Sequence, residues 1–110
     1  MTSVYFLIQK KIRKLAAENV YQLSGHAEKE RESDMISVEE LETALKHSEI
    51  IENYPDDPRG ASCLVLGFCE SRPIHAVCTI MQSPEELLII TVYDPSMRPD
   101  KWTDNYRKRR

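Results

Sequence analysis

The segment LSGHAEKERESD, residues 23–34, sets one histidine at the head of a helix made almost wholly of ionisable side chains. His26, Glu30 and Asp34 stand at i, i+4 and i+8, which is one stripe of a helix surface. The dipole of the first helical turn disfavours the imidazolium of His26, and the Glu30 carboxylate one turn on favours it. A histidine balanced near neutrality is a good general acid or base. Three readings are open: a solvated face whose histidine caps the helix, a metal site, and part of an acid–base site. The metal reading lacks the second histidine of an H-E-x-x-H motif, and i to i+8 is a long reach for three ligands of one ion. No metal is expected, and with no glycine-rich phosphate loop in the sequence no cofactor is expected either.

A second set of polar groups falls on segments that alternate like strands. In IHAVCTI, His75 shares a face with Val77 and Thr79, while Ile74, Ala76 and Cys78 share the other. In LLIITVY, alternation places Tyr93 and Thr91 with Ile89 and Leu87. Cys63, Cys69 and Cys78 have no C-x-x-C spacing, so three unpaired thiols in a reduced, cytoplasmic setting are the expectation. Trp102, beside Lys101 and before Tyr106, has two readings: it stacks on a base, or it fastens the end of the chain to a sheet.

The elements that must position these groups follow from the period of the apolar residues. Val4, Leu7, Ile8, Ile12, Leu15 and Ala16 repeat helically. ENVYQL allows a few extended residues, and Ser24 is a plausible N-cap for a helix near 25–33. In ISVEELETALK, Ser37 and Glu40 have capping-box spacing, and Leu41, Ala44 and Leu45 make the buried side. The period then becomes extended through SEIIENY, CLVLGF, IHAVCTI and LLIITVY, joined by short links. The expected architecture is α+β: three N-terminal helices packed on a four-stranded antiparallel sheet. The 110 residues are expected to form one domain, with a core over about 4–94 and a basic tail over 95–110.

The net charge of −3 conceals an asymmetry. Residues 1–17 carry Lys10, Lys11, Arg13 and Lys14 and no acid, residues 18–58 set twelve carboxylates against three cations, and the chain closes on RKRR. Overall acidity argues against a general nucleic-acid coat protein but permits a local phosphate-binding surface. No run approaches the ~20 apolar residues of a membrane span. In MTSVYFLIQKK the charges follow the apolar patch, so no secretory leader is expected.

HAEKERESDMIS, EIIENYPDDPRGASCLVLGF, RPIHAVCTI and LLIITVYDPSMRPDKW occur in this order and together resemble a family of small prokaryotic proteins of unknown function. The order of elements is similar to that of the RelE-like toxins, metal-independent ribonucleases often paired with a zinc-finger or helix-turn-helix antitoxin. The resemblance implies an RNA substrate, such an antitoxin partner, and a site containing His26, His75 and Tyr93. The histidines would serve as acid and base for attack by a ribose 2′-OH, with Tyr93 donating to the phosphate. Arg31, Arg59 and Lys101 would neutralise charge, and Trp102 would stack. For this to work, His26 and His75 must share one cleft. Many relatives carry arginines where this chain has Glu30 and Asp34, which removes two phosphate ligands. That departure favours the alternative, a non-catalytic module that binds a protein through a sheet edge.

Overall fold

A computed structural model of the chain describes residues 3–110. Helix α1 (Val4–Ala17) starts at Ser3, whose hydroxyl accepts the Phe6 N–H at 3.1 Å, and it buries Ile12, Leu15 and Ala16. Helix α2 (Gly25–Ser33) starts at Ser24, which accepts the Ala27 N–H, and Ala27 is its buried residue. Helix α3 (Val38–Lys46) has the complete Ser37–Glu40 capping box and buries Leu41, Ala44 and Leu45.

The meander is present as β2 (Glu49–Tyr54), β3 (Ser62–Cys69), β4 (Arg72–Gln82) and β5 (Glu85–Tyr93), all antiparallel neighbours. The sheet nevertheless has five strands, in the order β1-β5-β4-β3-β2, rather than the expected four. The extra strand, β1 (Tyr21–Leu23), lies parallel to β5. Three residues are too few to show an alternating pattern, and the pairing is set by tertiary hydrogen bonds such as Leu87 N–H to the Val20 carbonyl at 3.1 Å.

The helices lie on one sheet face, where α1, α2 and α3 share a core with Val65, Ile74, Ala76, Cys78, Leu87, Ile89 and Val92. Each fully buried Leu or Ile there stabilises the fold by about 2 kcal/mol. Gly67 on β3 is what lets α3 lie close. A β-carbon at that position would run into the Ala44 carbonyl group and lie 3.0 Å from the Ala44 Cα.

On β5 the ladder skips Ile90: Val77 pairs with Thr91, but Cys78 pairs with Ile89. This bulge corrects the alternation read from sequence. Leu87 and Ile89 face the helices, and Tyr93 pairs directly with His75 on the opposite face. That opposite face is not left to water. After a 3₁₀ turn (Pro95–Met97), β6 (Trp102–Thr103) pairs with β7 (Lys108–Arg109) in a small hairpin. The expected basic tail is therefore ordered structure. Trp102 is 4 % exposed, and two arginines, one in β7 and one just before it, pair with the acidic β2, as Arg107–Glu49 at 2.6 Å and Arg109–Glu52 at 2.9 Å. Among the described residues, no helix is long and apolar enough to cross a membrane.

Candidate functional site

The stripe on α2 has a place in this architecture that its sequence did not disclose. β1 stops at Leu23 while β5 runs on to Tyr93, so the outer edge of β5 has unpaired backbone groups beyond Ile89. The α2 region satisfies them one by one. Ser24 Oγ donates to the Ile90 carbonyl at 3.0 Å, Glu30 Oε1 accepts the Val92 N–H at 3.1 Å, and Asp34 Oδ2 accepts the Asp94 N–H at 2.9 Å. Glu30 and Asp34 thus act as a substitute strand edge, in line with the rule that buried backbone donors find partners. His26 belongs to the same stripe but not to that task. Its side chain is 69 % exposed, with Nε2 3.2 Å from Glu30 Oε1.

Below the stripe lies a charged knot. Arg72 Nε donates to Asp94 Oδ2 at 2.8 Å, Nη1 reaches Glu40 at 3.2 Å and the Met35 carbonyl at 2.9 Å, and Nη2 reaches the Asp34 carbonyl at 2.6 Å. Burial pushes the Asp94 carboxyl up, but the Ser96 and Arg72 hydrogen bonds outweigh it and hold the group below its ordinary value.

His75 sits on the other sheet face and is 0 % exposed. Nε2 lies 2.9 Å from the Tyr106 carbonyl, and Nδ1 lies 3.1 Å from the Tyr93 hydroxyl. A carbonyl can only accept, so Nε2 carries the proton, and Nδ1 accepts from Tyr93. Trp102 meets the imidazole edge to face at 4.4 Å between centroids, and the Arg109 guanidinium lies 4.7 Å above the Trp102 ring. Arg109 is fixed in turn by Glu52, at 2.9 and 3.0 Å. Burial lowers the His75 pKa to about 4, against the opposing effect of the Tyr106 bond, and burial raises that of Tyr93 to about 12.

At neutral pH His75 is therefore an uncharged, doubly bonded imidazole beneath a hairpin. Its titration makes a measurable prediction. In the unfolded chain it binds a proton near its ordinary 6.5, and in the folded chain near 4. Between those values the unfolded state holds more protons, so this group's contribution is fully present above pH 6.5 and declines by about 3 kcal/mol as pH falls to 4. Denaturant melts of wild type and His75→Gln across this range should show the extra slope in wild type only. Equal slopes would mean that His75 is not held neutral.

The remaining sequence-derived candidates are dispersed. Arg31 is tied to Glu28 and to the Ile36 carbonyl, and Arg59 grips Asp57 through two bonds of 3.0 Å. Lys101 is exposed, and Trp102 is buried between His75 and Arg109. His75 and Tyr93 are brought together. His26 is not joined to them: it is exposed on a helix that packs on the face His75 turns away from, so the expectation of one shared cleft is corrected. The cause is the two-residue period of β4, which sends His75 and the helix-facing Ile74 and Ala76 to opposite sides. Among the described residues, no three His, Cys, Asp or Glu side chains converge as metal ligands would.

The model of a family described as "Domain of unknown function (DUF4258)" matches residues 23–94. The chain belongs to that family. The match takes in β1 at Leu23, α2, α3 and the sheet through β5; α1 and the C-terminal hairpin fall outside it. No curated protein matches the chain, and no solved structure matches it.

In the segment ahead of the DUF4258 match the helical period, which counts Val4 and Leu7, does not describe what is buried. Val4, Tyr5, Phe6 and Leu7 are 60, 49, 48 and 54 % exposed, four consecutive large apolar residues on the first turn of α1. Of the four, Tyr5 lines a cleft of about 510 Å³ between α1 and the ends of the strands, with Ile8, Ile12, Cys63, Ile80 and Leu88 among its other walls, while Val4 and Leu7 line a smaller hollow of about 210 Å³ beside Lys11 and Glu85. The size of the larger cleft falls in the usual range for binding sites. Cys63 and Cys78, cross-strand partners with free thiols, stand in its wall, where burial raises both pKa values. The signal was available in sequence as VYFLI, a run too apolar all round for the first turns of a helix with one buried side.

Proposed function

We propose that this DUF4258 chain is a protein-binding module that docks a partner through the first turns of α1 and the cleft beside them. The single observation that carries this reading is the run of four exposed apolar residues at the start of α1, one of which, Tyr5, lines an apolar cleft. Soluble proteins expose few such surfaces unless something is bound there. The sheet edges are less suited to the task. β1 has three residues, the rest of the β5 edge is closed by Glu30 and Asp34, and β2 is irregular at Ile51 with its Ile50 N–H already taken by Gln9.

A photo-crosslinking amino acid at position 6 should capture a partner in cells that mass spectrometry identifies and that binds the purified chain. Leu7→Asp should then weaken that binding by about 30-fold, the effect of losing one well-buried apolar anchor. Unchanged binding by Leu7→Asp would rule out this surface.

A second reading is a RelE-like ribonuclease of a toxin–antitoxin pair, with RNA as substrate. Its support is the direct pairing of His75 and Tyr93 on neighbouring strands, two proton-carrying groups on one sheet face. It requires the hairpin to lift from His75 before either group meets RNA. Deleting residues 101–110 would then raise cleavage of a generic RNA, and His75→Gln would abolish it.

A further inference from the structure

We propose that the C-terminal hairpin is a detachable strap, the chain's own ligand for a second docking face, and that the partner displacing it is a basic peptide segment carrying an aromatic residue. This is independent of the α1 reading above. The face lies on the side of the sheet away from the helices. Register sets Glu49, Leu66, His75 and Tyr93 in one row across β2, β3, β4 and β5, and the next row begins with Glu52 and Leu64. Leu64 and Leu66 are each 1 % exposed, yet neither belongs to the core that the helices cover. The structure shows what seats on this face. Trp102 stands edge to face on His75, and Arg107 and Arg109 pair with Glu49 and Glu52. An apolar floor with carboxylates along one side thus holds an aromatic ring and two guanidinium groups, a match of shape and charge that a segment of another chain can reproduce. All six face residues lie inside the DUF4258 match, and the strap lies outside it.

The strap is lightly attached. β6 and β7 pair with each other and not with the five-stranded sheet. Its polar links to the face are His75 Nε2 donating to the Tyr106 carbonyl at 2.9 Å and the two ion pairs, whose arginine side chains are 38 and 60 % exposed. Pairs that exposed add little and are screened by salt. The turn adds strain. Asp104, Asn105 and Tyr106 are all left-handed, with φ of 53°, 53° and 71°, a conformation that costs tyrosine more than aspartate or asparagine. The bond from His75 holds that tyrosine in place, so the strain is released when the strap lifts. A strained terminal segment held by few contacts opens before the fold as a whole does. Once it is open, the two rows present two carboxylates and no lysine or arginine. An RNA backbone would meet repulsion there, and a basic peptide attraction. The tethered strap competes at the high effective concentration of a linked ligand, so a partner binds in proportion to how often the strap is open.

Trp102, the only tryptophan of the chain, reports on the strap directly. In wild type, acrylamide quenching of its fluorescence should rise at urea concentrations that leave the far-UV circular dichroism unchanged. A rise only together with the main unfolding transition overturns the inference. The full-length variant Arg107→Ala/Arg109→Ala keeps the face and loosens the strap. At low salt, a labelled peptide with the sequence of residues 101–110 should bind this variant about tenfold more tightly than wild type, the effect of two lost surface pairs. A peptide of the same composition in shuffled order should bind at least about tenfold more weakly. Adding Glu49→Gln/Glu52→Gln to the loosened variant should remove binding of the ordered peptide, and adding Leu7→Asp should leave it unchanged. Equal binding by the two peptides, equal affinity for wild type and the loosened variant, or no binding to either overturns the inference. So does loss of binding with Leu7→Asp, which would place the peptide on α1, or binding of a single-stranded RNA oligonucleotide in place of the peptide.

Discussion

Gly67→Ala is expected to remove at least about 4 kcal/mol of stability, a large part of what a domain of this size has. The added methyl has no flexible side chain to displace. It meets the carbonyl group and Cα of Ala44, the backbone of α3 itself. Ala44 is fixed from both sides, because Leu41 and Leu45 of the same helix are buried in the core. Relief therefore requires moving α3 off the sheet, which would open the packing of several side chains at once. Gly25 provides the control: nothing lies within 4 Å of a β-carbon there, and its helical backbone needs no glycine. Gly25→Ala should be neutral or stabilise slightly, by reducing the freedom of the unfolded chain. Chemical denaturation of both variants checks the pair. Near-equal stabilities would mean that α3 does not approach β3 as closely as described.

Arg72→Ala is expected to cost about 4 kcal/mol, the usual penalty for stripping the partner from a buried charge. Arg72 bonds two carboxylates and two helix-end carbonyls, and so joins β4, the C-terminal ends of α2 and β5, and the first turn of α3. Without it Asp94, 4 % exposed, loses its ion pair while still buried. Arg72→Lys should recover little, because an ammonium cannot reproduce a planar fork that bonds four acceptors. Urea melts would reveal the loss as a lower midpoint. A cost under about 1 kcal/mol for Arg72→Ala would show that the knot is solvated and contributes no more than a surface pair.

How far the sequence could be read depended on the length of each signal. The α1 period, the Ser37–Glu40 box and the four longer strands all extend over enough residues for period and capping to show, and all are present. β1 was legible only as a few extended residues in ENVYQL, because three residues carry no period to show that they join the sheet, and the β5 bulge was invisible because nothing in LLIITVY marks Ile90 as the unpaired residue. One of the two readings of Trp102 fastened the end of the chain to the sheet, but the hairpin itself had no local signal, because its order depends on Trp102 packing and on ion pairs to a strand 57 residues away, as Arg109 to Glu52 shows. For the candidate site, alternation did place His75 opposite the helix-facing residues. The error lay in placing His26 in one cleft with His75. The stripe on α2 closes a sheet edge with Glu30 and Asp34, and His26 is its solvent end.

The central claim is that this chain acts through the surface of α1 and not through its histidines. Its most direct test is a titration of the partner captured at position 6 against purified wild type, Leu7→Asp and His26→Ala at neutral pH. His26 is exposed and paired only with Glu30, so its loss should leave the dissociation constant within about twofold of wild type. Leu7→Asp should raise it by about 30-fold. The reverse pattern, with Leu7→Asp unchanged and His26→Ala strongly weakened, would contradict the account and move the functional surface to α2.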